Sequence, residues 1–140
     1  PEIRANIIRV HKLQLPESDV EPSGLTPREH KAAFLGFLKF LKINLAGQTS
    51  IRVDPSWASQ LALLQGIAQF TVPDMLIREE QLDQDLPCLA SAVGKASSDV
   101  GETSHQYSSM LTKIYDAGSE KVAREAYARD YAAFGFEDWA

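Results

Sequence analysis

The chain has 140 residues, 44% of them hydrophobic and 24% charged, with a formal net charge of −5. That is enough apolar material for a packed core in one domain or part of one, and it excludes a wholly disordered chain. The acidic balance excludes a general nucleic-acid or anionic-membrane binder, although Arg4, Arg9, His11 and Lys12 form a local basic cluster near the start.

The longest apolar runs fall far short of the ~20 residues a membrane helix needs. No signal peptide is visible, and the lone Cys88 cannot form an internal disulfide. A reducing, cytoplasmic setting follows as the simplest expectation. The chain begins with Pro1 rather than Met, so a preceding segment is expected.

In chain order, residues 1–12 show no clean period, and their type stays open between helix and strand. Residues 13–25 are rich in Pro, Ser, Glu and Asp and read as a polar loop. Thr26-Pro27-Arg28-Glu29 has the form of a capping box with proline at the first helical position. Phe34, Phe37, Leu38, Leu41 and Leu45 then form one apolar stripe, which reads as core, and Gly47 supplies a stop. Ile51-Arg52-Val53 reads as short and extended.

Asp54-Pro55 repeats the cap-then-proline signal and predicts a helix carrying Trp57, Leu61, Leu64 and Ala68 on one face, ending near Phe70. Gly66 weakens its middle. Thr71-Val72-Pro73 breaks the pattern, and Met75-Leu76-Ile77 has the composition of a short buried strand. Leu82, Leu86, Leu89, Ala90 and Val93 are helically spaced up to Gly94. Pro87 leaves two readings, a short turn with the main helix starting after Asp85, which is preferred, or a kinked helix.

Residues 95–106 read as an exposed loop. Tyr107, Met110, Leu111 and Ile114 open another helix, and Asp116-Ala117-Gly118-Ser119 reads as a stop followed by a new cap. Val122, Ala126, Tyr127, Tyr131 and Phe134 line the face of a last helix. The pairs Glu120/Arg124 and Glu125/Arg129 are placed on its outer face.

Signature chemistry is sparse. HExxH, CxxC and GxSxG are all absent. His11, His30 and His105 are too scattered to read as metal ligands, so no metal is expected. Cys88 reads as a small core residue near a helix start. Gly94-Lys95-Ala96-Ser97 ends like a phosphate loop, but Leu89 stands where an earlier glycine is required, so Gly94 reads as a helix stop. Glu79 and Glu80 sit where a short strand meets a helix, a position that suits a catalytic base or a charge complementing the helix dipole.

Three segments together resemble a known family. Asp54, Trp57 and Gln60 match an Asp-x-His-Trp-x-Pro-Gln element, with Ser56 at its histidine and Ser59 at its proline. Asp74–Ile77 leading to Arg78-Glu79 and Leu82 resembles its strand-to-helix turn. Tyr127-Ala128-Arg129-Asp130-Tyr131-Ala132-Ala133-Phe134-Gly135-Phe136 resembles its closing Tyr-x-x-Asp-Tyr-x-x-Phe-Gly-Tyr. The family is that of carbohydrate-type and related bacterial sulfotransferases, and the resemblance covers roughly residues 30–136.

The resemblance implies a mainly α chain with one or two short strands, forming the C-terminal part of an α/β, phosphate-loop-type fold. Residues 1–140 would be a single domain or a fragment of that larger domain. The implied co-substrate is 3′-phosphoadenosine 5′-phosphosulfate (PAPS), whose binding motifs lie upstream in the family and are absent here. The implied acceptor is a hydroxyl, of a carbohydrate or a small molecule. Trp57 as a stacking platform and Gln60 as a hydrogen-bond donor become candidate substrate-binding residues, and Glu79 the one candidate for a catalytic base. Asp130 and Tyr131 read as stitching the last helix to the body. The implied partner is a missing N-terminal half, or a second copy through self-association, with neither nucleic acid nor a membrane span. The competing expectation is a non-catalytic helical interaction module.

Overall fold

The structure is a computed structural model that describes Ala5, residues 7–9, Lys12, residues 26–96 and residues 108–138. It is mainly helical: α1 is Pro27–Leu45, α2 Gln60–Ala68, α3 Leu82–Ala92, α4 Ser108–Ile114, α5 Ala117–Ala126 and α6 Ala128–Phe134, with a 3-10 turn at Glu79–Gln81. Ala5 and residues 7–9 are also helical. The loop expected at 13–25, and all of the 95–106 loop except residues 95 and 96, lie outside the described residues.

The chain divides into two compact units, one from Pro1–Gln65 with Tyr107–Ala140 and one from Gly66–Gln106. In the first, α1 packs against α4 and α5. Its core is Ile7, Leu38, Phe40 and Leu41, with Phe34, Phe37, Leu45, Trp57, Val122 and Tyr127 among the residues packed on it. Burying such a stripe is the main favourable term holding the unit together.

The start of α1 follows the sequence signal. Thr26 Oγ1 accepts from the Glu29 amide at 3.3 Å, and Glu29 Oε2 accepts from the Thr26 amide at 2.8 Å. Those bonds hold the Glu29 carboxyl below its usual range. At the other end Gly47 takes φ +70°, which lets the Gln48 amide reach the Ile43 carbonyl and the Gly47 amide reach that of Asn44. This Schellman geometry needs a left-handed residue. Gly94, at φ +68°, closes α3 with the same pair of bonds, from Lys95 to Ala90 and from Gly94 to Ser91.

Four expectations need correction. First, the described residues contain no strand at 51–53 or 75–77. A strand needs a ladder partner, and the Ile51 carbonyl is taken by side chains instead, Asn44 Nδ2 at 2.7 Å and Thr49 Oγ1 at 3.3 Å. Second, Asp54-Pro55 does not start a helix. Asp54 Oδ1 accepts from the Ser56 amide and hydroxyl at 2.9 and 2.7 Å, and the Trp57 amide bonds back to the Asp54 carbonyl. That is an Asx turn with proline inside it, and α2 begins later, at Gln60, to end at Ala68.

Third, α3 starts at Leu82 and runs through Pro87. The 3-10 turn before it supplies the short turn, and Pro87, which has no amide to give to the Asp83 carbonyl, lies inside the helix. Fourth, Cys88 is not a core residue but lies exposed within α3.

Candidate functional site

Two of the segments that carry the resemblance meet in the first unit. The carboxylate of Asp130, only 3% exposed, accepts from the Gln60 amide at 2.9 Å, the Leu61 amide at 3.1 Å and the Ser59 hydroxyl at 2.5 Å. Ser59 Oγ in turn accepts from the Ala62 amide at 3.3 Å, and its carbonyl takes the first intrahelical bond from Leu63. The first amides of a helix have no partner inside it. Here the three that follow Ser59 are all satisfied, two of them from 69 and 70 residues away. A carboxylate at that end also complements the helix dipole.

Trp57 is half-buried and held on three sides. Its indole N–H donates to Asn44 Oδ1 at 3.1 Å, and its carbonyl accepts from the Tyr127 hydroxyl at 2.9 Å. Its ring meets Phe37 and Phe40 edge-on, with centroids 6.0 and 6.5 Å away. Edge-to-face packing of this kind is favourable for aromatic quadrupoles. Burial raises the Tyr127 phenol above its usual range, with the Asp130 charge adding to it.

Asn44 is the hub the sequence reading passed over. It is 1% exposed, and its amide group also donates to Thr49 Oγ1 at 2.8 Å and to the Ile51 carbonyl at 2.7 Å. Its signal was a polar residue on the apolar face of α1, three after Leu41. Such a residue must find partners when buried.

A second cluster corrects the outer-face placement of Glu120. That side chain is buried, 7% exposed, and accepts from the Tyr115 and Tyr131 hydroxyls at 2.6 and 2.8 Å. Desolvation and the Glu120 carboxylate push the Tyr131 phenol up to about 12 and raise Tyr115 further still. Arg124 lies over the Tyr131 ring at 4.4 Å, within 3.8 Å of Glu120, and is paired with Asp138. Glu125 bonds not to Arg129 but to Lys42, at 2.9 Å, across α1 and α5. Asp116 caps α5 through the Ser119 amide at 3.0 Å and is paired with Lys31. A half-open cleft of about 700 Å³ lies over this cluster, lined by Tyr115, Glu120, Lys121 and Arg124 among others.

Of the candidate residues, Trp57 and Gln60 lie in the first unit and Glu79 in the second. Gln60 is bound through its backbone, while its side chain is exposed. Glu79 is exposed at the start of the 3-10 turn. Of the histidines, only His30 lies among the described residues, and within those no group of three or more His, Cys, Asp or Glu side chains is arranged to hold a metal. No helix among them is long and apolar enough to cross a membrane.

Three comparisons with known proteins, by family model, by curated sequence and by solved structure, find no match. The described residues are mainly helical, and the first unit carries a buried carboxylate clasp.

Proposed function

We propose that the chain is the acceptor-side, C-terminal portion of a sulfotransferase that uses PAPS. The supporting observation is the clasp. The Tyr127–Phe136 segment carries the most specific part of the resemblance, and its Asp130 binds the backbone of Gln60, the last residue of the Asp54–Gln60 segment, and of Leu61 next to it. Two remote motifs that form one assembly are the arrangement expected of a shared design. In this reading the exposed Gln60 side chain and the outer edge of the half-buried Trp57 ring form a wall against a hydroxyl-bearing acceptor, a sugar or a small molecule. The acceptor oxygen attacks sulfur, the bond from sulfur to the donor phosphate breaks, and a base takes the hydroxyl proton.

A specific observation favours a second reading, a non-catalytic helical interaction module. The Trp57 indole, the Tyr127 hydroxyl and the Asp130 carboxylate are all committed to internal bonds. Calorimetric titration of the purified protein with 3′-phosphoadenosine 5′-phosphate, together with its intact mass, separates the two. Micromolar binding by material that carries a second polypeptide supports the sulfotransferase reading. A single 15.5 kDa species that ignores the nucleotide leaves the interaction module.

A further inference from the structure

The whole net charge of −5 falls in the second unit. Residues 66–106 hold seven acidic and two basic side chains, and the rest of the chain holds twelve of each. Among the described residues of that unit, none is buried. Its helix α3 packs closely only on the 3-10 turn before it. Leu82, Leu86, Leu89 and the C-capping Val93 recur at steps of four, three and four residues, so they form one apolar stripe. The three leucines are half-buried, and Val93 is 61% exposed. An amphipathic helix without one buried residue has an apolar face that its own unit only partly covers, and such a face marks an interaction site.

The carboxylates beside that stripe say what covers it. At about 100° of turn per residue, Asp83 and Asp85 stand one on each side of the stripe, and Glu80 lies in the 3-10 turn that leads into α3. No described cation pairs with any of these three carboxylates. We infer that α3 is a docking helix for a basic amphipathic segment of another protein. The apolar face of that segment lies on the Leu82–Val93 stripe, and its Lys or Arg side chains reach Asp83 on one side and Asp85 on the other. Apolar anchors at helical spacing are a recurring way to hold such a segment. They supply the burial that the unit lacks, while the carboxylates select the sign of the partner and orient it. A second copy is the poorer occupant, because α3 contains no basic residue to offer to Asp83 and Asp85. The inference does not rest on the sulfotransferase reading.

The test is fluorescence anisotropy of labelled synthetic peptides titrated with the 140-residue chain. The first peptide has leucines at helical spacing and lysines elsewhere, the second has glutamates in place of the lysines, and the third is the first with its leucine spacing scrambled. The first is expected to bind about tenfold or more tighter than either of the others, and amide exchange at residues 82–93 slows as it binds. Asp83→Lys and Asp85→Lys each weaken the first peptide about fivefold, because each turns an attractive pair into a repulsive one, and the two together strengthen the second peptide. Val93→Asp, at an exposed position, also weakens the first peptide. Glu137→Lys, the same reversal at an exposed site of the first unit, leaves it unchanged. Circular dichroism checks that each variant keeps its helix content. No binding, equal binding of the first and scrambled peptides, a response to Glu137→Lys as large as to the α3 reversals, slowed exchange confined to other residues, or sedimentation showing α3 covered by a second copy overturns the inference.

Discussion

Asp130 and Ser59, 71 residues apart in sequence, share a 2.5 Å hydrogen bond at the start of α2. The same carboxylate holds the next two amides, so one side chain sets where that helix begins. Asp130→Ala removes three charge-assisted bonds at a buried site and lowers stability by about 3 kcal/mol, whereas Ser59→Ala removes a cap and costs about 1 kcal/mol. Urea unfolding of both single variants and the double variant is the measurement. The double variant loses less than the sum, because the two side chains share a bond. Full additivity would refute the clasp.

Asn44 holds α1, the 49–51 turn and the Trp57 indole at once. Asn44→Asp sets a buried carboxylate against the Ile51 carbonyl, with only the Thr49 hydroxyl able to turn and donate to it, and costs about 3 kcal/mol. Trp57→Phe keeps most of the ring but leaves Asn44 Oδ1 without its donor, and costs about 1–2 kcal/mol. Thermal unfolding reads both. A neutral Asn44→Asp would mean that the hub is not formed.

The tyrosines around Glu120 make stability sensitive to alkali. Both phenols are raised in the folded protein, Tyr131 to about 12, so the fold holds these protons more tightly than the unfolded chain does. Their contribution is complete below the ordinary phenol value, about 10, and is lost as the pH rises from there toward the folded value. Urea midpoints taken at increasing pH should fall across that window. In Tyr115→Phe/Tyr131→Phe the fall is shallower, and the tyrosinate absorbance that remains appears at lower pH.

Two glycines should respond in opposite directions to alanine. Gly47 sits at φ +70° with nothing within 4 Å of an added Cβ, so Gly47→Ala meets only backbone strain and costs about 1 kcal/mol. Gly66 lies inside α2 with equally open space and no positive φ, so Gly66→Ala stabilises by about 0.5–1 kcal/mol. Paired thermal melts decide it, and a loss at Gly66 would mean that α2 is not helical there.

What was legible in the sequence was local. The Thr26–Glu29 box and the stops at Gly47 and Gly94 use short-range bonds, and each appears where its residues predict it. Distant partners were not legible in this way. Asp54 looked like a cap because Asp-Pro precedes many helices, but Ser56 captures its carboxylate first. Glu120 looked solvated because Arg124 stands four residues on, whereas two tyrosine hydroxyls draw it inward. Residues 75–77 have strand composition without a ladder, because sheet formation depends on a neighbour that periodicity does not supply.

The clasp also bears on the order of events during synthesis. A helix whose first turn is held by a side chain 70 residues downstream cannot be completed when its own residues leave the ribosome. Until Asp130 arrives, the amides of Gln60 and Leu61 rely on water, and α2, a nine-residue helix, is too short to persist alone. Folding of the first unit is thus timed by its last helix, and the waiting intermediate is the form most open to proteases and chaperones.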